Sequence, residues 1–221
     1  MSQLSAPALT TGIERVIVLD TETTGLQSYD KIITLAAICF EGDRIQQRSL
    51  YLIFDPRKDS SPQAEEVHGW DNWTTRFQDM FDDHAAGVRE WMQWGDKLVM
   101  HHAEFDMRYV QRELRKAGHA LLEHPTHCTL NEARRHWAGQ RCGLDDCTSR
   151  IGIARRPGRH SALEDVFLTS ALYMHMRGVK FTVPHVEVWP GPRNLKDADP
   201  RPDGDLPRRA PKKPTGAAAW L

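Results

Sequence analysis

Residues 15–25 read RVIVLDTETTG, an apolar run that stops at an acidic residue and ends in a glycine turn. A continuous apolar run predicts a strand that is covered on both faces, and we assign residues 15–20 to it. Two more strands are predicted over residues 32–40 and 44–54, joined by the short link 41–43. Three strands in this succession indicate an antiparallel meander.

The rest of the chain alternates between helical and strand patterns. Short strands are predicted over residues 97–101 and 126–129, and the clearest helices over residues 104–116 and 161–177. Strands separated by helices commonly run parallel, so the first, fourth and fifth strands are predicted to be parallel. The sequence therefore predicts an α/β fold in which helices flank a mixed five-stranded sheet.

The composition is that of a folded protein. The chain has 221 residues, of which 40% are hydrophobic, enough to build a core. Lys and Arg number 29 against 30 Asp and Glu, so the net charge of −1 indicates neither a nucleic-acid nor a membrane partner. The longest apolar runs, such as residues 35–40, are far shorter than a membrane helix requires. The four cysteines include no CxxC pair, so we expect reduced thiols. Residues 1–12 show no secretory pattern, so we expect a cytoplasmic location.

Composition also divides the chain into three parts. Residues 1–13 are small and polar and are predicted to be disordered. Residues 14–178 carry the periodic patterns and form the predicted domain. Residues 179–221 contain repeated prolines and a basic cluster within 208–213, so we predict a Pro-rich, mildly basic, largely disordered tail.

Three carboxylates lie at the ends of predicted elements. Asp20 and Glu22 stand at i and i+2 of the first strand and therefore point to the same face. A carboxylate at the mouth of a buried strand needs a cation or hydrogen-bond donors nearby. Asp106 falls in the first turn of the helix after the fourth strand. Each residue also has a simpler interpretation when it is considered alone. Asp20 and Glu22 can be a polar end of the strand, and Asp106 can be an acid that complements the helix dipole.

The start of the last predicted helix carries a fourth carboxylate and a histidine. Ser161 and Glu164 have the S-x-x-E spacing of a capping box. With Ser161 as the N-cap, His160 and Asp165 occupy positions that face each other across the first turn. The pattern predicts an imidazole and a carboxylate on one side of the helix start.

Together these residues indicate a metal-dependent site. Strand ends and helix starts are where α/β folds build their sites. Oxygen donors without cysteine favour Mg²⁺ or Mn²⁺ over Zn²⁺, and two such ions can hold the attacking and leaving oxygens of a phosphoryl transfer. A histidine with an ordinary pKa of about 6.5, here His160, can accept a proton from water near neutral pH.

Three stretches now suggest a family. Residues 20–25 (DTETTG), 101–106 (HHAEFD) and 160–165 (HSALED) resemble the motifs of the DEDDh 3′–5′ exonucleases, most closely the proofreading epsilon subunits of bacterial DNA polymerase III. The resemblance extends over about residues 16–176. It implies an RNase H-like fold and an enzyme that hydrolyses DNA from single-stranded or frayed 3′ ends, releasing nucleoside 5′-monophosphates.

The resemblance also implies a role for each matching residue. Four carboxylates would bind two divalent ions, Mg²⁺ or Mn²⁺: Asp20, Glu22, Asp106 and Asp165. His160 would act as the general base. Three residues would contact the terminal nucleotide: Thr23, His68 and Phe105. The family pattern has His-Asn where this chain has His101-His102, a departure on the substrate side of the second motif.

Two alternatives remain open at this point. An RNA-trimming 3′–5′ exoribonuclease of the same superfamily would use the same five acidic and histidine residues. A polymerase-associated nucleic-acid-binding protein is favoured by the Pro-rich, basic tail, which can dock a partner. Because all five residues are present, an enzyme is favoured over a binding protein. Single-stranded DNA is the expected partner, with RNA, or a polymerase bound through the tail, as the alternatives, and no membrane.

Overall fold

The computed structural model describes residues 13–216 and has a five-stranded sheet at its centre. The strands lie in the order β3-β2-β1-β4-β5. Their bounds are β1 Arg15–Thr23, β2 Ile32–Glu41, β3 Arg44–Ile53, β4 Lys97–Met100 and β5 Thr126–Cys128. β1, β2 and β3 are antiparallel neighbours, whereas β4 runs parallel to β1 and β5 parallel to β4. The predicted mixed sheet is confirmed.

Six α-helices within residues 13–216 pack around this sheet. Their bounds are α1 Pro62–His68, α2 Phe81–Met92, α3 Ala103–Lys116, α4 Thr129–His136, α5 Leu144–Arg150 and α6 Ala162–Met176, with a 3₁₀ turn at Thr74–Phe77. One face of the sheet forms a core with α2 and α3, and the other face forms a core with α6. The helices therefore flank the sheet on both faces, as predicted. None of the helices within residues 13–216 is both long and apolar enough to span a membrane.

Alternation along β1 decides which side chains meet which helices. Leu19 is buried in the core with α2 and α3, and Val18 is buried in the core with α6. Because strand side chains alternate, Asp20 and Glu22 continue the α6 face and Thr21 continues the opposite face. The strand is longer than the predicted span 15–20, so Glu22 as well as Asp20 lies within β1.

The Pro-rich tail lies against the domain. Residues 179–216 contain no helix or strand. The Asn194 amide donates to the carbonyl of Ile53 at 2.8 Å, and its oxygen accepts from the Ile53 N–H at 2.9 Å. Trp189 stacks on Phe167 of α6 with ring centroids 4.9 Å apart. Unpaired backbone groups of an edge strand are thus satisfied by the tail, and the predicted disorder is not confirmed for this segment. Residues 1–12 of the predicted disordered N-terminus and residues 217–221 of the predicted tail lie outside the described residues.

Candidate active site

The carboxyl end of β1 carries Asp20 and Glu22. β1 is the central strand, and β4 pairs with it only as far as Val18. Beyond that point α3 begins, so the sheet opens beside Asp20. β1 still pairs with β2 through Glu22, where the register shifts. The two acids are therefore held on a regular strand at an open sheet end, the usual place for a site in an α/β fold.

Asp106 reaches the same end from α3. Its carboxylate is buried and accepts hydrogen bonds from the Thr21 N–H at 3.0 Å and the Thr21 hydroxyl at 2.8 Å. Thr21 points to the face opposite Asp20 and Glu22, so Asp106 approaches β1 from the other side. This arrangement fixes the start of α3 against the end of β1.

The start of α6 brings Asp165 and His160. The His160 Nδ1 lies 3.7 Å from a carboxylate oxygen of Asp165, as their facing positions predict. The predicted capping box is wrong, because Ser161 makes no side-chain cap hydrogen bond. Glu164 instead accepts from the Arg156 N–H at 3.1 Å. The guanidinium groups of Arg155 and Arg156 also lie 3.7 Å and 3.6 Å from Glu164, and these charged partners compete with the reciprocal cap.

Three of the four predicted acids converge. Asp20, Glu22 and Asp165 each offer a carboxylate oxygen, and these oxygens lie within 4.8 Å of one another. Asp106 is outside this group because its hydrogen bonds with Thr21 hold it on the opposite face of β1. We call Asp20, Glu22, Asp106 and Asp165 the acid cluster.

The carboxylates of the acid cluster repel one another. Burial, followed by the neighbouring Asp165 and Asp106, raises the pKa of Asp20 well above its ordinary value. Burial and Asp165 raise the pKa of Glu22 to about 8. Burial raises the pKa of Asp106 to about 7, against the opposing effect of the Thr21 hydrogen bonds. Such a set gains stability from a cation, and its oxygen-only donors fit Mg²⁺ or Mn²⁺.

A cavity of about 690 Å³ adjoins the acid cluster. It lies between the end of β1, the β1–β2 loop and α1, and Glu22, Thr23, His68 and Phe105 all line it. The Thr23 hydroxyl is engaged within the turn, where it donates to the Gly25 carbonyl at 2.7 Å. We call this cavity the nucleotide pocket. All three residues predicted to contact the terminal nucleotide therefore lie at one cavity beside the acids.

His68 presents an unpaired nitrogen. Its Nδ1 accepts from the Trp70 N–H at 2.9 Å, whereas the buried Nε2 has no hydrogen-bond partner among the described residues. Burial, together with Arg159, lowers the pKa of His68 to about 4, so the ring is neutral at physiological pH. Since Nδ1 accepts, the proton of the neutral ring resides on Nε2. His68 thus holds a spare donor in the wall of the nucleotide pocket.

The sequence model of the family described as Exonuclease (RNase T) matches residues 17–173. This chain belongs to that exonuclease family. The matched range covers β1 through most of α6 and includes every residue of the acid cluster. As a member of the family, the protein is a nuclease.

The exonuclease resembles several curated proteins named DNA polymerase III subunit epsilon. The protein of Rickettsia felis is 30% identical over 172 residues, which cover 74% of each chain. The protein of Escherichia coli K12 is 28% identical over 181 residues, covering 77% of this chain and 74% of the relative.

Solved structures share the fold. Exonuclease X in complex with 5′ overhanging duplex DNA has a TM-score of 0.58 and 24% identity, covering 76% of this chain and 95% of that one. A zinc-bound E. coli ExoI–ssDNA complex has a TM-score of 0.66 and 16% identity, covering 74% of this chain and 41% of that one.

Sequence reasoning missed one residue of the site in this exonuclease. Arg155 contacts the Asp165 carboxylate and lies 2.9 Å from Asp145 and 3.7 Å from Glu164. Its side chain is only 9% exposed. Burial lowers the pKa of Arg155, but the carboxylates of Asp165 and Asp145 outweigh burial and hold this pKa above its ordinary value. Arg155 therefore acts as a fixed counter-charge to the acid cluster. The Arg155-Arg156 pair shortly before His160 was the available signal, because a buried acid requires compensation.

The departure at His102 has a structural consequence. His102 has φ of 90° and ψ of 52°, in the left-handed region, directly before α3. A non-glycine residue there costs about 1–2 kcal/mol, and asparagine adopts it more readily than most residues. The His102 ring stacks near Phe105, with centroids 5.8 Å apart and planes 22° apart. The imidazole thereby packs against Phe105, which lines the nucleotide pocket.

Proposed function

We propose that this protein is a 3′–5′ exonuclease that hydrolyses single-stranded DNA, or frayed 3′ ends of duplex DNA, and releases nucleoside 5′-monophosphates. The observation that carries the proposal is the convergence of Asp20, Glu22 and Asp165 beside His160 and the nucleotide pocket. Supporting it, curated relatives are named as a subunit of DNA polymerase III, and neighbours of the same fold were solved with DNA.

The acid cluster would hold two divalent ions, Mg²⁺ or Mn²⁺. Asp20, Glu22 and Asp165 have oxygens close enough to share a cation, and Asp106 offers a fourth carboxylate from the other side of β1. When bound, such ions neutralise phosphate charge and make water more acidic. The raised pKa values of Glu22 and Asp106 mean that the protein would release protons as ions bind.

His160 would accept the proton of the attacking water. Its side chain is 40% exposed, and Asp165 lies 3.7 Å from Nδ1, which leaves Nε2 available to solvent. The interaction with Asp165 raises the pKa of His160 above its ordinary value of 6.5. The neutral base is therefore populated above that pKa, so turnover should rise from acidic to mildly alkaline pH.

The nucleotide pocket would position the terminal nucleotide. Phe105 offers an aromatic face to the base or sugar, and Thr23 shapes the turn beside Glu22. The spare Nε2–H of His68 is placed to donate to an oxygen of the substrate. Positioning of this kind supplies a large part of the acceleration in phosphoryl transfer.

The proposal is tested by digesting 3′-labelled single-stranded DNA, duplex DNA and RNA side by side, with Mg²⁺, with Mn²⁺ and with chelator. We expect metal-dependent release of mononucleotides from DNA. Asp20→Asn should lower the rate by at least about 10-fold to 100-fold with the fold retained, because a lost ligand costs no less than a lost outer-shell partner. Asp43→Asn, an exposed change in the β2–β3 hairpin, is the matched control.

Three results would overturn parts of the proposal. Full activity of Asp20→Asn would refute the metal site. Faster digestion of RNA than of DNA would favour the exoribonuclease alternative. His160→Gln should lower turnover about 100-fold or more with little change in metal affinity, as expected for a general base; equal losses in both would refute the base role.

We further propose that the protein associates with a polymerase through its tail, as the curated relatives' names suggest. The tail contacts the domain along its described length, at Asn194 and again at Arg209 and Thr215, so a polymerase would bind the outward side of the tail. Co-purification of the protein with and without residues 197–221 tests this. Equal recovery of a polymerase subunit by both forms, or by neither, would refute it.

A further inference from the structure

A second cavity of about 300 Å³ lies away from the acid cluster, between the 3₁₀ turn Thr74–Phe77 and residues 207–212 of the tail. Five cations line it: Arg57, Arg76, Arg208, Arg209 and Lys212. Trp73 forms part of the same wall. Among the described residues, no carboxylate lines this cavity. We call it the basic cleft.

Two carboxylates behind the wall hold the basic cleft together. The Asp55 side chain is completely buried and accepts from Arg57 at 2.9 Å, Arg209 at 2.8 Å and Lys212 at 3.2 Å. Asp59 accepts from Arg209 at 2.8 Å and from Arg76 at 3.0 Å. These contacts anchor the tail. Two negative charges cannot balance five positive ones, so the cleft retains a positive potential towards solvent.

Arg208 is the cation that the anchoring does not use. It is exposed and makes no hydrogen bond or ion pair within residues 13–216. The contacts that attach the tail to Asp55 and Asp59 therefore do not require Arg208. Arg208 is therefore available to an anion from outside, and guanidinium matches phosphate in charge and shape.

The basic cleft adjoins the nucleotide pocket. Arg209 donates to the Lys58 carbonyl at 2.9 Å as well as to Asp59. Lys58 and Asp59 themselves line the nucleotide pocket. The two cavities thus share a wall, and a chain that leaves the pocket across residues 58 and 59 meets the cleft.

We propose that the basic cleft binds the phosphodiester backbone of the strand whose 3′ end occupies the nucleotide pocket. The inference deepens the proposed exonuclease function and rests on it. Closely spaced cations contact successive phosphates, and Trp73 provides an apolar side against which a sugar or base can lie. The Pro-rich tail is thereby assigned a role in holding substrate, since without residues 207–212 the cleft has only one wall.

The test compares Arg208→Glu with Arg44→Glu, which makes the same charge change at an exposed position in the β2–β3 hairpin. Binding of a labelled single strand of about 20 nucleotides, longer than a single-domain site, is measured in chelator over a range of salt. Loss of one phosphate contact makes the plot of log affinity against log salt shallower by about 0.7. At about 0.05 M salt this change corresponds to about eightfold weaker binding of the strand. We expect this from Arg208→Glu and no change of slope from Arg44→Glu.

Hydrolysis of the p-nitrophenyl ester of thymidine 5′-monophosphate separates this inference from the proposed function. The ester fits the nucleotide pocket alone. If the unsubstituted protein cleaves neither ester nor strand, the proposed function fails. If it cleaves both but Arg208→Glu and Arg44→Glu bind the strand with the same salt slope, the basic cleft is refuted. A defect of Arg208→Glu that is as large on the ester as on the strand would also refute it.

Discussion

The acid cluster should make the metal-free protein less stable as pH rises. Glu22 has an ordinary pKa of 4.5 and a pKa of about 8 in the folded protein. Between these values the folded state binds more protons than the unfolded state, so the free energy of unfolding falls with increasing pH. The stabilisation is fully present below about 4.5 and is lost as pH passes through about 8. Asp106, with a pKa raised to about 7, acts in the same direction.

The size of this effect follows from the shift. Each unit of pKa difference corresponds to about 1.36 kcal/mol, so one carboxyl held protonated from pH 5 to pH 8 contributes at most about 4 kcal/mol. For a domain of this size, 1 kcal/mol changes Tm by about 2–4 °C. The upper limit for the fall in Tm that Glu22 alone causes is therefore about 8–16 °C. Saturating Mg²⁺ or Mn²⁺ should flatten the dependence, because a cation replaces the protons.

Thermal unfolding followed by circular dichroism between pH 5 and 8, in metal-free buffer, measures this slope. Glu22→Gln should be less sensitive to pH than the parent protein, since it cannot ionise. Glu41→Gln removes an exposed carboxyl at the far end of β2 and should keep the parent slope. A Tm that stays level or rises towards pH 8 in the metal-free parent, or equal slopes for Glu22→Gln and the parent, would refute the reasoning.

Three further changes test other contacts. Arg155→Met leaves the acid cluster without its buried counter-charge, which costs about 3–5 kcal/mol of stability. The Tm of this variant should fall in chelator and should rise with Mn²⁺ more than the Tm of the parent does. Equal responses to the metal would contradict this. Gly69→Ala and Gly118→Ala both place a side chain at positive φ, near +76° and +81°. A Cβ at Gly69 would lie 2.3 Å from Arg159, whereas none of the described atoms would lie within 4 Å of a Cβ at Gly118. Thermal unfolding should show that both are destabilised by about 1–2 kcal/mol. Because Arg159 must move in Gly69→Ala and acts on His68 in the pocket wall, exonuclease assays should show that only this variant loses turnover. Similar turnover in both would be the contrary result. Asn194→Ala removes two hydrogen bonds, worth about 1–3 kcal/mol, and should expose the tail to limited proteolysis, whereas unchanged cleavage would show that the anchor is unimportant.

Local patterns were sufficient for most of the fold. The apolar run before Asp20 predicted a strand covered on both faces, because only a central strand can bury consecutive side chains. The period of two along that strand placed Asp20 and Glu22 on one face, and the helix start placed His160 opposite Asp165. These predictions depend on residues within one or two turns of one another. The covalent chain already sets such distances.

Predictions that depended on competition between partners were less secure. Ser161 and Glu164 have capping-box spacing, yet Glu164 lies 3.6 Å from the Arg156 guanidinium and Ser161 makes no side-chain cap hydrogen bond. A charged partner can outcompete a neutral cap, and the four-residue pattern does not contain that partner. The proline-rich composition predicted disorder for residues 179–221, which is not confirmed for the described residues 179–216, where Asn194 hydrogen-bonds the backbone of Ile53 at the β3 edge.

The sequence by itself determined the strand order of the meander, the helical elements, the identity of the acids and their likeness to an exonuclease. Only the tertiary structure decided that Asp106 meets Thr21 on the opposite side of β1 from the other acids, that Arg155 neutralises Asp165, and that residues 207–212 complete a basic cleft beside the pocket. The physical reason is the range of each interaction. Periodicity records which face a residue occupies, whereas charge pairing and cavity formation depend on which distant segments pack together.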